Sequence, residues 1–209
     1  MELLKRANGN IPRTQQELDT MLKEMTEAYG QFLTAAGFDW KADENSSNTP
    51  HRVAKAWLQD IINGCVSEQP NITAFPNDDN YTGMVFQGNI PVISLCSHHN
   101  LQFTGLAHVA YLPGERVIGL SKINRTVDWF SRRPQIQEGL TSQIHKYIDE
   151  ICVGNKGVAV VVEANHSCVK CRGIKNDSTM GTALMSGAFL DNNDRSRDEF
   201  YTFVSNLKK

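Results

Sequence analysis

Apolar residues between positions 18 and 33 fall at Leu18, Met21, Leu22, Met25, Tyr29, Phe32 and Leu33. That three-and-four spacing is one face of a helix. Thr14 and Glu17 in TQQE have the form of a capping box, and Gly37 offers a stop. The polar stretch KADENSSNTP reads as a loop. Thr49 is then expected to cap a second helix with Pro50 at its first position. Its apolar face is Val53, Trp57, Leu58, Ile61 and Ile62, and Gly64 is its expected end. Residues 65–85, rich in Pro, Asn and Asp, read as loop.

From residue 86 the period drops towards two. VFQGNIPVISL and FTGLAHVAYLP predict strands, with Pro113-Gly114 as a turn and RVIGL as a shorter strand. Ser121 is placed as the cap of a helix through KINRTVDWFS, and Pro134 separates it from a second helix, QIQEGLTSQIHKYIDEIC. GVAVVVEAN is a β-branched strand. Further strands are expected around CVKCRGIK and ALMSGAF, and a last helix opening at Asp194 or Ser196 and running to Leu207. The order predicts an α+β fold: an N-terminal helical region, 1–85, then residues 86–209 as a mainly antiparallel sheet covered by helices.

The totals narrow the partners. In 209 residues the net charge is −2, which gives no argument for nucleic acid or a membrane surface. No apolar run approaches the roughly 18 residues of a membrane span. The stretch MELLKRANGNIPRTQQELD shows no signal-peptide h-region, and five cysteines are an odd number for a disulfide framework. The expectation is a cytoplasmic protein with reduced thiols.

Candidate chemistry sits in two short stretches. SLCSHHNLQF carries Cys96, His98 and His99, and NHSCVKCRG carries His166, Cys168, Cys171 and Arg172. Thiolate and imidazole are the preferred zinc ligands, and three protein ligands with an open position make a catalytic site where four make a structural one. Cys96 and His99 form the natural Cys-x-x-His pair. The next ligand is His166, Cys168 or Cys171, and spacing alone leaves the choice open. Cys168-x-x-Cys171 also fits a redox pair or two buried strand residues. His51, His108 and His145 read as structural or solvated.

The stretches TPHRVAKAW, CSHH, VIGLSKINR, SRRPQIQEGLTSQI, HSCVKCRGI and SRDEF, in that order, resemble GTP cyclohydrolase I over about residues 15–205. The resemblance implies a tunnelling fold: an antiparallel sheet with helices on one face, preceded by helices. It also implies a homodecamer of two pentameric rings with active sites between subunits. It implies Zn2+ held by Cys96, His99 and Cys168, with His98 and His166 moving protons and Cys171 outside the ligand set. Glu138 resembles the carboxylate that accepts two hydrogen bonds from guanine, with Gln137 assisting. Ser121, Lys122, Arg125 and Arg172 resemble the triphosphate-binding set, which Arg52 and Lys55 extend. Cations at a helix N-terminus suit phosphate oxygens. The implied reaction converts GTP and water to formate and 7,8-dihydroneopterin triphosphate. It opens folate and pterin synthesis or serves a deazapurine route.

One position departs. The family commonly has Cys-Glu-His-His where this chain has Cys96-Ser97-His98-His99. That opens a shifted preference for dGTP as the alternative. A catalytically impaired ring-forming homologue, a structural zinc protein closed by Cys171, and a related nitrile reductase are the rival readings.

Overall fold

A computed structural model describes residues 2–207 and divides into two compact units, one up to Gln69 and one from Pro70. In the first, α1 spans Gln15–Ala35. Both bonds of the capping box form, the Thr14 side chain accepting from the Glu17 N–H and the Glu17 carboxylate accepting from the Thr14 N–H. At the other end Gly37 lies at φ +88, and the N–H groups of Gly37 and Phe38 donate to Thr34 O and Leu33 O. This is a Schellman stop, which needs the left-handed conformation glycine adopts without strain. Gly30 is buried where a Cβ would come within 2.9 Å of the Trp40 ring.

The second helix differs from expectation at both ends. Asn48 is the residue before α2 (Thr49–Ala56), without a side-chain bond, so Thr49 and Pro50 are its first two residues. The helix widens into a π turn at Trp57–Ile61, and Gly64 lies inside a short buried helix, α3 (Asn63–Val66).

The second unit is built on a five-stranded sheet. Its strands are β2 (Val85–Cys96), β3 (Gln102–Leu112), β5 (Pro134–Gln135), β6 (Gly157–His166) and β7 (Thr179–Met185), in the order β5-β2-β3-β6-β7. All neighbours are antiparallel except β5 with β2. The loop expected at 65–85 contains a short strand, β1 (Ala74–Pro76), paired with β4 (Arg116–Ile118).

Alternation along the strands sorts the core. Val92, Phe103, Val109, Tyr111, Val158, Val160 and Val162 face α4 (Leu120–Ser131) and α5 (Gln137–Ile151), whose Ile123, Val127, Leu140, Ile144 and Ile148 are buried with them. On the other face, Ala110, Leu112, Ala159 and Val161 pack with Phe200 and Val204 of α7 (Ser196–Asn206). Two expectations are corrected here. Ser121 lies inside α4, whose cap position is Gly119. CVKCRGIK forms no strand: the β3–β6 ladder ends at Phe103 opposite His166, so the next residues have no partner to pair with and close into a single helical turn, α6 (Ser167–Lys170).

Candidate functional site

The register gathers four chain segments at one end of the sheet. Leu95 lies opposite Gln102, Phe103 opposite His166, and Cys96 beside Gln135, which leads directly into α5. Cys96 closes β2 and is buried. Its N–H donates to Leu101 O at 2.8 Å, and the N–H of Asn100, at φ 52, donates back to Cys96 O. This tight loop turns both histidines towards the thiol. Cys96 Sγ lies 3.9 Å from Nδ1 of His98 and 3.9 Å from Nδ1 of His99.

Cys168 enters from α6. The ligand atoms of Cys96, His99 and Cys168 all lie within 4.8 Å of one another. A tetrahedral zinc with bonds of about 2.3 Å to sulfur and 2.0–2.1 Å to nitrogen needs ligand separations of about 3.5–3.8 Å. The group therefore fits a metal ion after small side-chain movements, and the donor set suits zinc. Burial and the neighbouring Cys96 thiol raise the Cys168 pKa. Cys171 is turned away: it is exposed, and its Sγ donates to Ser167 O at 2.7 Å. Three protein ligands leave a coordination position open.

Beside this group stands a second one. His166 stacks on Phe103, with ring centroids 4.6 Å apart and planes 10° apart. Its Nε2 lies 2.8 Å from Oε1 of Gln137. Burial lowers the His166 pKa, and the Glu138 carboxylate partly offsets that, which puts Glu138 within electrostatic reach. Glu138 itself is exposed on the first turn of α5, free to meet a ligand, whereas Gln137 is buried. Arg172 is exposed just beyond α6 and lowers the Cys168 pKa slightly through its charge.

The remaining positions lie elsewhere. Ser121, Lys122 and Arg125 share the N-terminal half of α4, with Ser121 and Arg125 exposed. α4 follows β4, whose Ile118 N–H donates to the Tyr111 hydroxyl near the far end of β3. From Phe103 to Tyr111 an extended strand covers on the order of 25 Å. Within one chain Ser121 and Lys122, in the first turn of α4, stand towards the opposite end of the sheet from Cys96, and Arg125 lies midway along the helix. Arg52 and Lys55 are exposed on α2, in the other unit. Phe103 was legible in the sequence only as a core residue; its role under His166 depends on a cross-strand register that one strand's pattern does not carry.

Residues 25–205 match the family model described as GTP cyclohydrolase I. A protein named GTP cyclohydrolase 1 from Flavobacterium johnsoniae is 40% identical over 174 residues, covering 82% of this chain and 76% of its own. One of the same name from Sulfurihydrogenibium sp. is 41% identical, with 89% of this chain and 96% of the relative covered. Another from Campylobacter jejuni is 42% identical over 79% of this chain and 87% of its own.

Proposed function

The chain belongs to the GTP cyclohydrolase I family, with that family's tunnelling fold, and from this we propose that it converts GTP and water to formate and 7,8-dihydroneopterin triphosphate with the help of zinc. The observation that carries the reading is the adjacency of two groups: the Cys96–His99–Cys168 cluster and the His166–Gln137–Glu138 chain. Zinc held by the three ligands would supply a water whose pKa falls to about 7 from 15.7, a nucleophile for C8 of the purine.

The chain's own residues do the rest. The Glu138 carboxylate accepts two hydrogen bonds from adjacent N–H groups of guanine, a pair adenine does not offer. His166 exchanges a proton at purine N7, and protonation there makes C8 electrophilic. Its lowered pKa makes the imidazolium a stronger donor at that step. His98, exposed and 3.9 Å from the Cys96 thiol, carries protons between the site and solvent in the ring-opening and reclosing steps. Ser121, Lys122, Arg125 and Arg172 bind the triphosphate.

The separation of Ser121 and Lys122 from Cys96 supports sites shared between chains, in a homodecamer of two five-membered rings. No helix among the described residues is long and apolar enough to cross a membrane. We place the enzyme in the cytoplasm, where its five free cysteines stay reduced and GTP is at hand, at the start of folate and pterin or deazapurine synthesis.

Ser97 favours keeping dGTP as a second substrate. Its N–H donates to Gln135 O at 3.1 Å, a backbone bond that does not use the side chain. The test is incubation of the zinc-loaded protein with GTP and separately with dGTP, following formate release and the fluorescence of oxidised neopterin. Formate and pterin from GTP are expected. Formate without pterin would mean ring opening without rearrangement; neither product, with zinc bound, would overturn the reading.

A further inference from the structure

The side chain of Gln137 is 1% exposed and makes a complete set of bonds. Its Nε2 lies 3.0 Å from Val162 O on β6 and 3.0 Å from Met180 O on β7, with Thr182 Oγ1 at 3.2 Å. Backbone carbonyls only accept, so the amide nitrogen must face them; the flipped amide would set its oxygen against two other oxygens. The neighbourhood is itself bonded: Thr141 donates to Gln137 O, and the Thr141 and Thr182 hydroxyls meet at 2.6 Å. Oε1 is therefore fixed towards His166, 2.8 Å from its Nε2.

That orientation sets the imidazole. An amide oxygen only accepts, so His166 Nε2 carries the hydrogen and donates it. In the neutral ring Nδ1 is then the bare nitrogen, and the one left for proton exchange. Turning the ring over would leave the buried amide oxygen without a donor, an unfavourable state for a buried polar group. Phe103, fully buried beneath the ring, fixes its plane. Both hydrogens of the Gln137 amide are committed to the sheet, which leaves no donor for a purine.

We propose that Gln137 is a positioning residue that locks His166 in one ring orientation and one tautomer, with Nδ1 as the working nitrogen, and that it serves turnover through His166 rather than by holding guanine with its side chain. The proposal rests on the proton-transfer role given to His166 above. Outer partners of this kind typically change activity by 10- to 100-fold when removed.

The test uses the full-length zinc-loaded protein and Gln137→Met, which keeps the length and apolar volume and removes both amide groups. Solid-state 15N spectra of histidine-labelled protein, with His166 assigned by its loss in His166→Gln, should show a protonated Nε2 and a bare Nδ1 in the wild type. They should show a mixture of tautomers in Gln137→Met. Zinc content should be unchanged, kcat for formate release should fall by about 10- to 100-fold, and KM for GTP should stay within about twofold. A wild-type spectrum with the hydrogen on Nδ1 overturns the proposal even if the variant fails to fold. So does a variant whose KM rises at constant kcat, the mark of a lost guanine contact, or one with unchanged kinetics. A wild type that shows the expected tautomer but releases no formate leaves the positioning intact and overturns the proposed reaction instead.

Discussion

Cys168 and Cys171 share one helical turn and face different surroundings. The first meets Cys96 and His99; the second is exposed and bonded to Ser167 O at 2.7 Å. The spacing of the two sequence stretches restricted the ligands to a handful of residues but left His166, Cys168 and Cys171 as equals, because i and i+3 positions are resolved only by which way the turn faces. Cys171→Ala is expected to keep close to one zinc per chain and most of its turnover, while Cys168→Ala loses the metal, as read by elemental analysis after desalting. Metal lost from Cys171→Ala would restore the four-ligand, structural reading.

His145 carries the clearest residue-scale consequence for stability. Its Nε2 lies 3.1 Å from Ser186 Oγ, a hydroxyl that also accepts from Val158 N–H, and burial lowers its pKa below 6.5, only partly offset by Asp149. The unfolded chain then binds the proton more tightly than the folded one, so stability is full above pH 6.5 and falls as the pH drops through the lowered folded value. In urea melts between pH 7.5 and 5, His145→Gln should show a shallower loss than wild type. An identical slope would remove His145 from the account.

At the scale of elements, the drop in period located β2 and β3, the β-branched run located β6, which is buried on both faces, and the strand expected around ALMSGAF overlaps the end of β7. The pattern missed β1 and β5, three and two residues long, which have no period and exist only through their partners β4 and β2. The separate strand expected around CVKCRGIK is absent, because the ladder has already ended at His166. β3 and β6 approach closely at Gly105, opposite Ala164. A Cβ there would lie 1.9 Å from Glu163 O and 2.6 Å from Ala164 Cα, both backbone atoms of β6 that yield only by moving the strand. Gly105→Ala should cost about 1–3 kcal/mol or more, read as a lower urea midpoint. Because Phe103 and His166 lie two pairs beyond it, turnover should fall in the folded fraction as well.

The whole sheet is unfinished in one chain. Among the described residues β7 pairs only with β6, and β5 covers only Leu95 and Cys96 of β2, leaving most of that edge open. Open edges of this length invite pairing with another chain. The proposed division of the site follows the same lines, since Cys96, His99 and Cys168 lie at one end of the sheet and Ser121 and Lys122 stand in the first turn of α4, which follows β4 at the other. The motifs by themselves carry no distance; sites between subunits were legible only through the family resemblance, and the placement of α4 supports that reading. The division predicts complementation. Cys168→Ala and Lys122→Ala, each expected to be inactive as a uniform assembly, should regain formate release when the two chains are co-expressed and mixed in one oligomer. A site that takes its metal group from the Lys122→Ala chain and its phosphate group from the Cys168→Ala chain is whole. If each site were built within one chain, every site in the mixture would lack a part. Activity would then stay at the level of the separate variants, even with light scattering showing mixed decamers.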